Sequence, residues 1–258
     1  MDDAGAVRWG RPVDANSAQP LIPGLFSAWH FESTPVPVSR RLAPVAPPNI
    51  IAIGRNYREH AREMKAETLD AEPLIFLKAT TSVIGPDEPI VLPRSAPDEV
   101  DFEAELAVTI GRRARNVSES EAMKHVLGFT CANDVSARDC QKRRDKQWAR
   151  GKSFDTFCPL GPSIVTPDEL DWGRLGIRSR LNGEVMQDSG TAEMLFSVPA
   201  LVSYISHQFT LLPGTVILTG TPAGVGAART PPVFLRPGDE ISVEVDGIGV
   251  LTNRVVSE

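Results

Sequence analysis

VDFEAELAVTIG, residues 100–111, is the stretch from which the rest of the chain is read. Phe102, Ala104, Leu106, Val108 and Ile110 alternate with Asp101, Glu103, Glu105, Ala107 and Thr109. A period of two predicts a strand with one apolar face and one polar face. Asp101, Glu103 and Glu105 then share a face. Three like charges there repel, and their carboxyl pKa values rise unless a cation compensates. Oxygen donors without thiol or imidazole favour Mg²⁺, with Mn²⁺ or Ca²⁺ as alternatives. The same alternation equally suits the wet face of a half-exposed strand. A second segment, CANDVSARDCQ (131–141), adds Asp134 as a candidate third carboxylate at a strand end. Arg138, Gln141 and Lys152 follow it, and all three are suited to holding an anion.

Outward from this strand, short apolar runs are separated by turn residues. NIIAIG (49–54), PLIFLKA (73–79), FTCANDVSA (129–137), GPSIVT (161–166) and GTVILTG (214–220) read as strands. Asn182-Gly183 and Asp246-Gly247 mark two hairpins. Helices are expected over YREHAREMKAE (57–67), capped by Asn56 with Glu59 as its capping-box acid, over SESEAMKHVLG (118–128) and over VPALVSYISHQF (198–209). Many strands and few helices predict an α+β, β-rich fold. Residues 1–48 are expected to form a small strand-rich segment closed by a proline linker, and residues 49–258 the main domain.

Composition narrows the function classes. No apolar run approaches the ~18–20 residues of a membrane span, so no membrane partner is expected. MDDAGAVRWGRPV, at the start, has the character of neither a signal nor a transit peptide. A net charge of −6 argues against nucleic acid. Cys131, Cys140 and Cys158 are odd in number and lack CxxC spacing, which points away from a disulfide framework or a zinc site and towards a cytoplasmic home. His30, His60, His125 and His207 are scattered, so a metal here needs oxygen ligands.

Eight collinear stretches together resemble the fumarylacetoacetate hydrolase family. They are IIAIGRNYREHAREM, PLIFLKATTSVIGP, VDFEAELAVTIGR, NDVSARDCQ, WARGKSFDTFCPLGP, NGEVMQDSGTAEMLFS, LLPGTVILTGTPAGVG and FLRPGDEISVEVDGIGVLTN, spanning roughly residues 42–254. The resemblance implies a mixed β-sandwich roll around a divalent metal, in a homodimer. It implies Glu103, Glu105 and Asp134 as metal ligands, with Asp101 behind them. It associates Lys152, Arg138, Gln141 and Thr221 with the oxygens of a small 2-oxo or 2,4-dioxo acid. Three glycines in TGTPAGVG let backbone N–H groups approach an anion, or simply make a tight connection between strands.

His60 and Glu63 stand three apart on a predicted helix. Spacing alone makes them a surface ion pair. The resemblance makes them a general base and its orienting carboxylate on a closing segment, residues 56–72. The expected reaction is hydrolysis of a C–C bond in an acylpyruvate- or fumarylpyruvate-type acid, the pyruvate end leaving as an enolate held at the metal. Oxaloacetate decarboxylation and 2-hydroxyhepta-2,4-diene-1,7-dioate isomerisation use the same site without the attacking water.

Overall fold

The structure, a computed structural model of the chain, describes residues 1, 5–64 and 70–258. Two sheets carry the site. The larger has seven strands in the order Leu74–Lys78, Ile50–Gly54, Val216–Leu218, Ala104–Ile110, Val126–Asn133, Cys158–Val165 and Val83–Ile84. The smaller has five, in the order Glu184–Gly190, Gly176–Leu181, Glu240–Val245, Gly249–Ser257 and Ile90–Leu92. Three of the pairings are parallel and the remainder of these two sheets is antiparallel, which gives the mixed, β-rich architecture expected from the sequence. Upstream, Gly10–Pro12, Ser17–Ile22, His30–Phe31 and Val36–Pro37 pair only among themselves.

The hairpins follow their turn residues. Asn182 and Gly183 take positive φ, 52° and 84°, between the Gly176–Leu181 and Glu184–Gly190 strands. That is the pair of conformations a two-residue primed turn needs. The Val198–Gln208 helix is capped by the Ser197 hydroxyl and buries Val198, Leu201, Val202 and Ile205. Its apolar face packs on the main core, together with Leu106, Val108 and Ile110 of the central strand.

Three expectations need correction. The 100–111 stretch is not one half-exposed strand. Val100–Asp101 pairs with Ser136–Ala137, Ala104–Ile110 lies in the middle of the seven-stranded sheet, and every residue from 100 to 110 is buried. Its polar face is covered because Ala107 joins a second apolar cluster with Ile50, Ala52, Val216 and Leu218. Alternation here records two differently filled interiors, not core against water.

The second correction concerns the first helix, which runs Arg58–Glu63 from an N-cap at Tyr57. Asn56 does not cap it: its side chain donates to Phe196 O and Thr219 O and accepts from Phe196 N. Glu59 pairs with Arg62 instead of reaching back to the cap. The expected continuation over residues 65–67, and part of the expected closing segment, lie outside the described residues.

The third concerns residues 118–128, where the α-helix covers Glu119–Ala122, a 3-10 turn continues it over Met123–His125, and Val126 already starts a strand. Gly128, read as a helix stop, lies where a Cβ would sit 2.4 Å from Val165 O of the neighbouring strand. The glycine serves close strand approach.

Candidate metal centre

Register alone brings the acids together. Ala104 lies opposite Asn133 and Glu105 opposite Ala132 in the antiparallel pair at the centre of the large sheet. Glu103 and Asp134 are the residues next along, so they meet where the two strands part. Asp134 N donates to Glu103 O at 2.9 Å, and Glu103 N donates to Asn133 Oδ1 at 3.0 Å. The outcome is that carboxylate oxygens of Glu103, Glu105 and Asp134 all lie within 4.8 Å of one another, each residue buried. Asp101 stands behind this group. Its oxygens accept from the backbone N–H groups of Phe102, Gly226 and Ala227 and from Arg138.

Burying acids at this density needs compensation. Lys152 Nζ donates to Glu103 Oε2 at 2.7 Å and to Asp134 Oδ2 at 2.6 Å. Lys78 Nζ donates to the other Asp134 oxygen at 2.5 Å. Arg138 lies 2.7 Å from Asp101 and 2.8 Å from Glu103, and donates to Gln141 Oε1 at 2.9 Å. Among the described residues, every buried Asp, Glu, Lys, Arg and His belongs to this one cluster. Lys78 was not singled out in the sequence. Its signal was a lysine closing the apolar strand LIFLK, a charge with no solvent-facing reason to be there.

The electrostatics separate the three acids. Burial alone would raise Glu103, but Lys152, Arg138 and His60 outweigh it and hold that carboxyl far below the usual range. Burial, with Asp134 and Glu103 alongside, pushes Glu105 well above the usual range; Lys152 and the Gly220 N–H oppose this only in part. Burial would also lower Lys152, but Asp134 and Glu103 dominate and raise it, so its ammonium is a fixed positive charge.

The residues fit a hard divalent cation. Three oxygen donors converge, and one of them, Glu105, has no basic side chain paired with it among the described residues, where it accepts the Gly220 N–H at 2.6 Å. A divalent ion bound there would supply the charge that Glu105 lacks. Carboxylate oxygens with neither thiol nor imidazole among them are the donor set of Mg²⁺, Mn²⁺ or Ca²⁺.

The TGTPAGVG loop closes the site from one side, in a way the sequence did not suggest. Its N–H groups hold the protein's own carboxylates: Gly220 holds Glu105, Gly224 holds Glu63, and Gly226 and Ala227 hold Asp101. Gly224 has φ +105°, and a Cβ there would lie 2.3 Å from Met186 O. At Gly226 a Cβ would lie 1.9 Å from Val233 O. Backbone this close to its neighbours admits no side chain. Thr221 Oγ1 donates to Ala104 O at 2.9 Å, directly on the ligand-bearing strand.

His60 and Glu63 come to the same place. His60 is 6% exposed, which removes the surface ion-pair reading. Its Nδ1 lies 2.8 Å from Glu63 Oε1, and Glu63 Oε2 accepts from Gly224 N at 2.9 Å. The carboxylate thus fixes Nδ1 as the protonated nitrogen and leaves Nε2 as the basic one. Asn56 ties the start of this helix to the residue before Gly220 through Thr219 O. Gln187, also unmarked in the sequence, is buried behind Thr221.

The family model described as fumarylacetoacetate (FAA) hydrolase C-terminal matches residues 49–256. A mitochondrial oxaloacetate tautomerase of Bos taurus is 49% identical over 267 residues, covering 96% of this chain and 84% of its own length. One of Xenopus laevis is 50% identical over 218 residues, covering 83% of this chain and 68% of its own length. Among solved structures, a 5-carboxymethyl-2-hydroxymuconate delta-isomerase from Mycobacterium smegmatis superposes with TM-score 0.86 at 42% identity, covering 100% of this chain and 97% of that one. A 2-hydroxyhepta-2,4-diene-1,7-dioate isomerase from Mycobacterium marinum gives 0.82 at 43% identity, covering 94% and 88%. The chain belongs to the fumarylacetoacetate hydrolase family.

Proposed function

We propose that this enzyme moves a proton within a small 2-oxo diacid, with keto–enol tautomerisation of oxaloacetate as the leading reaction. The observation that carries the reading is the pairing of buried His60, whose charge bears on Glu103, with half-buried Glu63, 2.8 Å apart. The relatives' names support it: they describe a tautomerase and isomerases, reactions that shift a proton without breaking a C–C bond.

Glu103, Glu105 and Asp134 would hold the metal. When bound there, Mg²⁺ or a similar cation draws electron density from the substrate's 2-oxo group and makes the neighbouring C–H more acidic. The chain's own residues do the rest. His60 Nε2 takes the proton from the carbon between the two carbonyl carbons, breaking a C–H bond and forming N–H. Glu63 steadies the imidazolium that results. The electron pair moves onto the 2-oxo oxygen, which takes a proton handed on through water from the imidazolium, so that His60 returns to its neutral form. Lys152, held protonated, offsets the negative charge as it grows. Arg138 and Gln141 stand at the carboxylate end.

A second reading keeps C–C bond hydrolysis of an acylpyruvate. What favours it is the Gly224–Glu63–His60 hydrogen-bond chain, which equally suits an imidazole that activates water. The decisive assay follows the enol form of oxaloacetate, the release of CO₂, and the cleavage of acetylpyruvate, each with and without chelator. Chelator-sensitive loss of the enol without CO₂ or cleavage supports the first reading. Acetylpyruvate cleavage with no effect on the enol sinks it. A homodimer is part of the proposal, and light scattering that gives only 28.0 kDa at micromolar concentration would count against it.

A further inference from the structure

Gln187 makes four hydrogen bonds from a site 1% exposed. Its Oε1 accepts from Ala104 N at 3.0 Å and from Ser179 Oγ at 2.8 Å. Its Nε2 donates to Thr221 Oγ1 at 2.7 Å and to Pro222 O at 2.8 Å. A primary amide has two donor hydrogens and two acceptor lone pairs, so nothing on this side chain is left over. It ties three parts together: the backbone between Glu103 and Glu105, the five-stranded sheet through Ser179, and the glycine-rich loop.

The consequence falls on Thr221. A hydroxyl has one proton and two lone pairs. The proton goes to Ala104 O at 2.9 Å, and one lone pair is taken by Gln187 Nε2. What remains is a single lone pair. Held this way, Thr221 cannot donate to a carboxylate or oxo oxygen; it can only accept. We propose that Gln187 is a positioning residue that fixes the Thr221 hydroxyl as an acceptor, so that this corner of the site takes the hydroxyl of an enol or 2-hydroxy acid rather than a carboxylate oxygen. The proposal rests on Thr221 being a substrate contact. It deepens the tautomerase reading by naming which form of the substrate the site holds there.

Two small probes separate the cases: glycolate, which carries a hydroxyl, and oxalate, which has no donor once ionised. Their dissociation constants are measured by calorimetry on the Mn²⁺-loaded protein, with Mn²⁺ affinity from electron paramagnetic resonance and melting temperature alongside. One hydrogen bond corresponds to roughly 5–10-fold in affinity. Thr221→Val and Gln187→Met should each weaken glycolate by about that factor and leave oxalate within about 2-fold. Because one residue acts through the other, the double variant should lose no more than about 2-fold beyond either single one. Ser179→Ala removes a hydrogen bond from the far side of Gln187. It should lower the melting temperature without changing either ligand. If Gln187→Met does not fold, Gln187→Glu keeps both acceptor contacts, loses the donors, and should weaken glycolate alike. Penalties that multiply in the double variant, or equal losses for the two ligands, overturn the role of Gln187. If Thr221→Val binds both ligands like the parent, it is the substrate contact that is wrong, and the proposal falls with it.

Discussion

Replacing Lys152 with methionine tests whether the buried acids are held in place by the chain's own cations. Lys152 Nζ bridges Glu103 and Asp134 at 2.7 and 2.6 Å, and all three side chains are at most 6% exposed. Methionine keeps most of the volume and removes the charge. Deleting one partner of a buried ion pair costs about 3–5 kcal/mol, because the other partner stays buried and unpaired. For a chain of this size each kcal/mol moves the melting temperature by roughly 2–4 °C. The metal-free variant should therefore melt about 6–20 °C below the parent. Lys78 still holds one Asp134 oxygen, and Arg138 still holds Glu103, so the lower half of that range is favoured. Divalent cation should restore much of the loss. It neutralises the same oxygens without competition from an ammonium, and binding at 100 times Kd contributes about 2.7 kcal/mol. The assay is calorimetry on chelated protein, then on protein titrated with Mg²⁺ or Mn²⁺. The reasoning fails if the chelated variant melts within about 2 °C of the parent. It fails equally if metal raises both melting temperatures by the same amount.

Three further outcomes follow from the site. Glu105→Gln should lose divalent-cation binding yet leave the metal-free fold as stable as the parent or more so. The sign is fixed by the raised Glu105 carboxyl, whose stabilising contribution is full below its usual range and lost as pH rises through its folded value. Metal-free parent protein should weaken with rising pH while Glu105→Gln stays flatter, as urea unfolding at several pH values would reveal. His60→Ala should keep Mn²⁺ affinity and lose about 10²–10⁴ in kcat, with Glu63→Gln moving the same way by a smaller factor; unchanged turnover would return the pair to a structural role. The thiols should resist alkylation at pH 8 in the native state, since burial pushes Cys131 and Cys158 up to about 12, and all three cysteines are free and buried. Mass spectrometry should find labelling at Cys131 and Cys158 only after unfolding.

What the sequence made legible was whatever depends on local period and on residue type. Strands, hairpin turns and the acids of VDFEAELAVTIG were readable because alternation and Asn-Gly or Asp-Gly pairs act over a few residues. The convergence of Glu103, Glu105 and Asp134 on one another was implied by resemblance, and the register of the two central strands realises it. Gln187 and Asn56 were not legible, because all their side-chain partners but Ser179 lie 34 to 163 residues away along the chain. Nothing in VMQDS or GRNYR distinguishes a surface amide from one that bolts two elements together. The glycine-rich loop stayed open between two readings for a related reason. Its N–H groups were free to be assigned to a ligand until the acids that hold them came into place.

The buried charges also constrain what the site accepts. Four buried acids, Asp101, Glu103, Glu105 and Asp134, stand against Lys78, Arg138 and Lys152. The upward push on Glu105 favours its neutral form, which brings these acids and cations closer to balance and eases their burial without metal. Ionising Glu105 upsets that balance by one negative charge, and a divalent cation more than restores it. Loaded, these seven buried groups and the ion would sum to one net positive charge, with the half-buried Glu63 carboxylate at the edge beside His60. Such a site attracts anions and gives neutral ketones nothing comparable. A methyl ester of the substrate's 1-carboxylate keeps the 2-oxo group and removes the charge, so it should bind far more weakly than the acid. Raising the salt concentration should narrow the gap only slightly, because screening is weak where the charges are buried. Comparable affinity for ester and acid at low salt would mean that the net charge of the cluster plays no part in selection.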